Sequence, residues 1–282
     1  MTELTKLRSI ASLFSTSAIK RLISEGTQSF IDSSGKLDVN GCSSVGSIFD
    51  SAYSELLGSY RNEYVYKNAI AEKLIRGTHR FSRNCYFSTE FRVGNSLADV
   101  VVANGTTTVY EIKTEFDSFE RLEGQICDYS KAFEYIHVVI PEKKLSDWEL
   151  KIPKNVGITV LSNEYTLRER RPAASNIEHF DLETMFACFR RMEFIAAVEN
   201  QFDYIPECKP VELKARCREL FLTLDPLVAH EEFLAALKCR QMRCEKIELL
   251  KNAPSSLTSA LISANLSLKE IARLNEVLGE GV

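Results

Sequence analysis

Three residues at one spacing stand out as able to do chemistry. Asp99 lies in Leu97-Ala98-Asp99-Val100, and Glu111 and Lys113 lie in Tyr110-Glu111-Ile112-Lys113. Two carboxylates about one side chain apart bind a hard divalent cation through oxygen. Such a cation acidifies a bound water and neutralises the charge that builds on a phosphodiester during hydrolysis. A nearby Lys positions that water or stabilises the same charge. The pattern of Asp, eleven intervening residues and Glu-x-Lys also arises in exposed hairpins as a solvated salt-bridge ladder. Its meaning therefore depends on the elements that carry it.

Residues 97–103 and 106–113 are rich in β-branched side chains and flank Asn104-Gly105, a strong hairpin signal. Residues two apart on a strand project to the same face, so Glu111 and Lys113 travel together. A strict two-residue turn at Asn104-Gly105 pairs Asp99 with Tyr110 and sends Glu111 to the other face. A three-residue loop over 104–106, or a bulge, pairs Asp99 with Glu111. Asp99, Glu111 and Lys113 then share one face, and Val100, Val102, Tyr110 and Ile112 share the apolar one. The hydrophobic pattern favours this second register, because a slip of one residue would mix the faces.

Other polar residues fall around this hairpin. Glu90, in Ser88-Thr89-Glu90-Phe91-Arg92, is a third candidate carboxylate on the preceding strand. Gln125 and Tyr129 are four apart on the following helix and lie on one side of it. Tyr129 also fits that helix's apolar stripe, and core is the favoured role for it. Glu115, Asp117, Glu120, Arg121 and Glu123 make a charged start to that helix, and acidic residues suit a helix N-terminus.

The positioning elements follow from periodicity. Residues 61–76 read as a helix stopped by Gly77. Residues 86–93, 97–103 and 106–113 read as strands. Phe119, Leu122, Ile126, Tyr129 and Phe133 mark one face of a helix, and 136–140 is a short buried strand ended by Pro141. Residues 157–161 are another strand. Upstream, 1–22 reads as an amphipathic helix, 33–44 as a loop of small residues, and 45–57 as a helix. From about residue 181 the pattern is helical over 181–199, 209–223, 227–246, 255–264 and 267–278. Ser267 with Glu270 begins the last as a capping box. The expected organisation is an N-terminal helical extension over 1–60, an α/β unit over 61–172 and a helical C-terminal region over 173–282. The boundary near 172 is a soft one, since the helices also suit packing on the sheet.

The order helix, three strands, helix, strand, with Asp99…Glu111-x-Lys113, resembles the PD-(D/E)xK nuclease superfamily. Gln125-x3-Tyr129 resembles the helix motif of its RecB-like exonuclease branch. Ala98-Asp99-Val100, Tyr110-Glu111-Ile112-Lys113-Thr114-Glu115, Asp117 and Arg121-Leu122-x2-Gln125 are similar to a group of bacterial and phage-borne proteins with this core. The resemblance covers roughly residues 60–172. It implies an α/β (α+β) fold with a restriction-endonuclease-like αβββαβ core. It also implies Asp99 and Glu111 as ligands of Mg²⁺ or Mn²⁺, Glu90 as an auxiliary metal-binding carboxylate, Lys113 as the catalytic lysine and Gln125 as a helix residue near the site. Glu63, on the first helix, falls where many members place another acid. Ala98 stands where the name-giving pattern has Pro, a position that varies widely in the superfamily.

Composition frames the partners. Lys plus Arg number 35 and Asp plus Glu 39, a formal net charge of −4 in 282 residues. That excludes a basic nucleic-acid-coating protein and an acidic tail protein as whole-chain descriptions, but not a local basic groove. Residues 61–92 hold seven basic residues (Arg61, Lys67, Lys73, Arg76, Arg80, Arg83, Arg92) against three acids (Glu63, Glu72, Glu90). Such a patch binds phosphates with little sequence reading. Arg76, Arg80, Arg83 and Arg92, with Tyr129, are therefore the candidate substrate-binding residues, and DNA the expected partner. Lys238, Arg240, Arg243 and Lys246 read as solvated helix surface. The eight cysteines contain no C-x2-C pair, which points to reduced, mostly buried thiols in a cytoplasmic protein. No apolar run approaches the roughly 18 residues that a membrane helix needs, and the start is not a continuous apolar signal segment. The expected function is a metal-dependent DNA nuclease in defence, repair or mobile-element biology. Its rival is a nuclease-fold binding protein, such as an immunity or inhibitor protein that neutralises a partner without catalysis. A purely structural sheet in a helical scaffold is the third reading.

Overall fold

The structure, a computed structural model, describes residues 2–33, 41–78 and 85–281. Four helices come first: α1 (Glu3–Ser12), α2 (Thr16–Ser33), α3 (Val45–Ser59) and α4 (Glu63–Ala71). The helix expected over 1–22 is broken between Ser12 and Thr16. There the Ser12 hydroxyl donates to the Ser9 carbonyl and Ser15 Oγ accepts from Ala18 N. Serines that bond the nearby backbone in this way compete with helix continuation and cap the next helix. Asn62 caps α4 by accepting from Val65 N. The helix then widens into a π-turn over Glu72–Thr78.

A six-stranded sheet follows in the order β1-β2-β3-β4-β5-β6. Its strands are β1 (Tyr86–Val93), β2 (Ser96–Ala103), β3 (Thr107–Ile112), β4 (Tyr135–Pro141), β5 (Gly157–Leu161) and β6 (Leu167–Arg171). Strands β1 to β3 are antiparallel, β3, β4 and β5 are mutually parallel, and β6 returns antiparallel to β5. Parallel neighbours need a crossover. Helix α5 (Leu122–Ser130) supplies the first, and α6 (Leu145–Trp148) with its flanking 3-10 turns the second. Strand β6 was not expected. Its sequence, Leu-Arg-Glu-Arg-Arg, is that of an edge strand protected by charge, and it carries no apolar alternation to read.

The remaining helices are α7 (Leu182–Ala187), α8 (Arg191–Phe202), α9 (Leu213–Phe221), α10 (Pro226–Cys239), α11 (Cys244–Asn252), α12 (Thr258–Ser263) and α13 (Leu268–Gly279). The Ser267–Glu270 capping box begins α13 as expected. The stretches 181–199 and 227–246 are each two helices rather than one.

These helices do not stand apart from the sheet. Phe186, Phe194, Phe221 and Phe233, from α7 to α10, share one core with Ile126, Tyr129, Val101, Val109 and Val138. Leu250, Leu261, Ile271 and Leu274, from α11 to α13, share the opposite core with Ile48, Phe49, Val65, Val100, Val102 and Ile112. The C-terminal region therefore divides between the two faces of the sheet, and α11 to α13 close over the N-terminal helices. All eight cysteines are free thiols. Only Cys85 and Cys217 are fully buried, whereas Cys127, Cys239 and Cys244 are exposed, which corrects the expectation of mostly buried thiols. Among the described residues no helix is long and apolar enough to cross a membrane.

Candidate active site

The β2–β3 hairpin adopts the three-residue loop. Ala103 pairs with Thr107 and Val100 with Tyr110, a register that places Asp99 opposite Glu111. Val100, Val102 and Ile112 then face one core and Val101 and Val109 the other. The ladder ends at Val100–Tyr110, and Asp99 Oδ2 accepts from Ile112 N at 2.8 Å. The Asp99 carboxylate thus sits where the two strands part, with Oδ1 turned to the site.

Glu111 and Lys113 are almost fully buried. A buried charge is tolerated only when paired and hydrogen-bonded, and every atom here is. Lys113 Nζ donates to Glu111 Oε1 at 3.0 Å and to Gln125 Oε1 at 3.0 Å. Gln125 Nε2 donates to Glu111 Oε1 at 2.6 Å, and Tyr129 OH donates to Glu111 Oε2 at 2.8 Å. The four-residue spacing on α5 is what brings Gln125 and Tyr129 to the same carboxylate.

A second lysine was not singled out from the sequence. Lys67 Nζ lies 2.5 Å from Glu63, 3.6 Å from Glu90 and 3.8 Å from Asp99. It counted only as one member of the basic 61–92 patch, and its Glu63–Lys67 spacing of four on a helix is common on solvated surfaces. Burial works against its charge, but the three carboxylates outweigh burial and hold the ammonium above its ordinary value. Burial, then the Glu111 and Glu63 carboxylates, push the Asp99 carboxyl up to about 8. Burial also raises Glu111, against the pull of Lys113, Tyr129 and Gln125.

Glu90 lies on β1 between the Thr89–Val100 and Phe91–Ala98 pairs, level with Asp99. Its φ is 56°, a left-handed conformation that is rare for a non-glycine residue in a strand and that costs energy. The alternation of faces slips at this level. Phe87 and Val102 belong to one core, but Phe91 and Ala98 belong to the other. The Glu90 side chain is two-thirds exposed and, among the described residues, reaches the cluster through Lys67. Among the described residues no group of three or more His, Cys, Asp or Glu side chains is gathered closely enough to hold a metal ion jointly. Glu90 is therefore not drawn in as a third ligand beside Asp99 and Glu111.

The expected substrate-binding residues separate. Tyr129 is fully buried, and its hydroxyl serves Glu111 and the Leu97 carbonyl, so it acts through Glu111 rather than on a ligand. Arg76 is turned toward the C-terminal helices, donating to Thr258 Oγ1 at 2.7 Å and to the Ala253 carbonyl at 3.0 Å. Burial lowers its pKa. Arg92 is exposed on β1. Arg80 and Arg83 lie outside the described residues. Arg240, read as solvated surface, is instead buried against Glu193 at 2.6 Å. A cleft of about 680 Å³, lined among others by Leu97, Arg121 and Gln125, opens beside Gln125.

The family described as "Bacteriophage P4 protein cII" matches residues 58–271. The chain belongs to that family. The match takes in α4, the whole sheet and every residue of the Asp99–Glu111–Lys113 cluster, and leaves α1, α2 and most of α3 outside. Protein cII of Enterobacteria phage P4 is 35% identical over 72 residues, which is 25% of this chain and 27% of that protein. The alignment thus spans about a quarter of the curated relative's length. No solved structure matches the chain.

Proposed function

We propose that the cluster is a metal-dependent phosphodiesterase site of the PD-(D/E)xK type, set in a restriction-endonuclease-like core and acting on DNA. The observation that carries this reading is the meeting of Asp99 and Glu111 where β2 and β3 part, with Lys113 Nζ 3.0 Å from Glu111. A salt-bridge ladder on a hairpin surface would be solvated, whereas Glu111 and Lys113 are buried and locked by Gln125 and Tyr129. The antiparallel β1–β2–β3 unit, followed by α5 and parallel β4, agrees with the expected core order.

The donor set fits a hard divalent cation. Burial and the Glu111 carboxylate raise the proton affinity of Asp99, whose Oδ1 has Lys67, at 3.8 Å, as its cationic neighbour among the described residues. Asp99 and Glu111 would hold Mg²⁺ or Mn²⁺ as a pair, with water completing the shell. When bound, the cation would acidify water and neutralise charge on the phosphate. Lys113 holds its ammonium against the same phosphate charge. Gln125 fixes the headings of Lys113 and Glu111 together, and Tyr129 fixes the second oxygen of Glu111.

The decisive experiment incubates the purified protein with linear, circular and single-stranded DNA and with RNA, under Mg²⁺ or Mn²⁺. A parallel Lys113→Ala preparation controls for contaminating nuclease. Cleavage by the native chain that falls by roughly 10²–10³ in the variant, the scale of losing one charge-stabilising donor, supports the reading. Equal behaviour of the two proteins on every substrate overturns it.

One observation favours a binding protein instead. Lys67 already places a cation among Glu63, Glu90 and Asp99, part of the neutralisation a metal would provide. On that reading the cluster is structural, and the chain neutralises a protein partner without catalysis.

A further inference from the structure

A cavity of about 400 Å³ lies at the carboxyl ends of β4 and β5, where Pro141 and Leu161 form part of its wall. In sheets with parallel strands this edge is where ligands bind. Tyr66, which also lines it, precedes Lys67 in the chain, and Phe116 follows Lys113 by three residues. Wall residues thus lie within three positions of both lysines along the chain, although neither lysine itself lines the cavity.

Phe116 is 63% exposed. It is also held in place. Thr114 N and Thr114 Oγ1 both donate to Asp117 Oδ2 at 2.7 Å, Phe116 N donates to Thr114 Oγ1 at 3.3 Å, and Asp117 N donates to the Thr114 carbonyl at 3.2 Å. The Tyr60 ring backs it at 5.2 Å between centroids, tilted by 43°. Arg61 fixes the adjoining wall by donating to the carbonyls of Leu57, Ser162 and Asn163. At the mouth Lys143 pairs with Glu115 at 2.6 Å. With Arg61 spent on carbonyls and Lys143 balanced by Glu115, the cavity suits a neutral flat ring better than a phosphate.

We infer that this cavity is a base-binding subsite. It takes an unpaired nucleobase, stacked on the free face of Phe116, from a single strand whose backbone passes Asp99, Glu111 and Lys113. The inference rests on the phosphodiesterase reading and names its substrate class as single-stranded nucleic acid. A base in a duplex has both faces covered by its neighbours, whereas an unpaired base offers a π-face to any aromatic ring and needs no sequence reading. The cavity volume lies within the range of small-ligand sites.

The test is fluorescence anisotropy of labelled single-stranded DNA, single-stranded RNA and duplex DNA in EDTA, with the native chain, Phe116→Ala, Phe116→Tyr and Lys113→Ala. The expected result is tighter binding of single strands than of duplex. Phe116→Ala should lose affinity by about tenfold or more, the scale of one base–aromatic stack, and Phe116→Tyr should restore it. The DNA and RNA arms identify the sugar. Equal affinity of Phe116→Ala and the native chain for single strands, or a preference for duplex, overturns the inference. Because Phe116 is exposed, its truncation leaves both cores intact. Binding is read without cleavage, so loss of this subsite is distinguished from failure of the phosphodiesterase reading, which the Lys113→Ala cleavage comparison decides by itself.

Discussion

Tyr129 donates its hydroxyl proton to Glu111 Oε2 at 2.8 Å from a fully buried position on α5, eighteen residues further along the chain. The same hydroxyl also reaches the Leu97 carbonyl at 3.1 Å. One side chain thus belongs both to the apolar stripe of the helix and to the polar site. Burial and the Glu111 carboxylate both push the Tyr129 pKa up, so it stays a donor.

Tyr129→Phe keeps the ring and removes the donor. It leaves Glu111 Oε2 buried and short of a partner, which should cost about 1–3 kcal/mol. Urea denaturation should show a lower midpoint with an unchanged slope. Unchanged stability would mean that Glu111 does not depend on this bond.

Lys67→Gln removes the ammonium shared by Glu63, Glu90 and Asp99. Asp99 then loses a charge that lowers its pKa. If Asp99 and Glu111 hold a divalent cation, the variant should be stabilised by Mg²⁺ or Mn²⁺ at least as strongly as the native chain. Thermal melts across a cation titration read this. Loss of the cation-dependent rise in Tm would place Lys67, rather than the carboxylate pair, at the centre of the site.

The pH dependence has a definite sign. Asp99 has a folded-state pKa of about 8, raised from 3.8, so between about pH 4 and 8 the folded state binds more protons than the unfolded one. Its contribution to stability is full below the unfolded pKa and is lost as pH rises through 8. Without divalent cation, this group should make the protein less stable at pH 8 than at pH 5. With Mg²⁺ the loss should shrink, because binding N and not U stabilises N. Paired melts of native chain and Asp99→Asn in EDTA isolate the contribution, and an identical pH profile for the two would refute it.

Gly157, at the start of β5, has no room for a side chain. A Cβ there would lie 2.4 Å from His137 Nδ1 and 2.9 Å from the Ala173 backbone nitrogen. The ring could turn, but the backbone cannot give way as cheaply. Gly157→Ala should destabilise by about 1–3 kcal/mol, the usual cost of overpacking, read as a lower Tm.

Local chemistry determined much of this molecule. The strands β1, β2 and β5 lie where β-branched runs place them, to within a residue. The register of the β2–β3 hairpin followed from the need to keep Val100, Val102 and Ile112 on one face, because a slip of one residue would invert every side chain. Spacing alone put Gln125 and Tyr129 on one side of α5. Tertiary structure decided the rest, since it depends on contacts between residues far apart in the chain. Lys67 enters the site only because α4 packs against β3, which brings its ammonium to Glu90 and Asp99. Arg76 turns away from it only because α12 offers Thr258. Glu90 is carried out of the carboxylate pair by a left-handed backbone that no local pattern announced. The C-terminal helices, continuous in periodicity, split across two faces because each face of the sheet needed its own apolar cover.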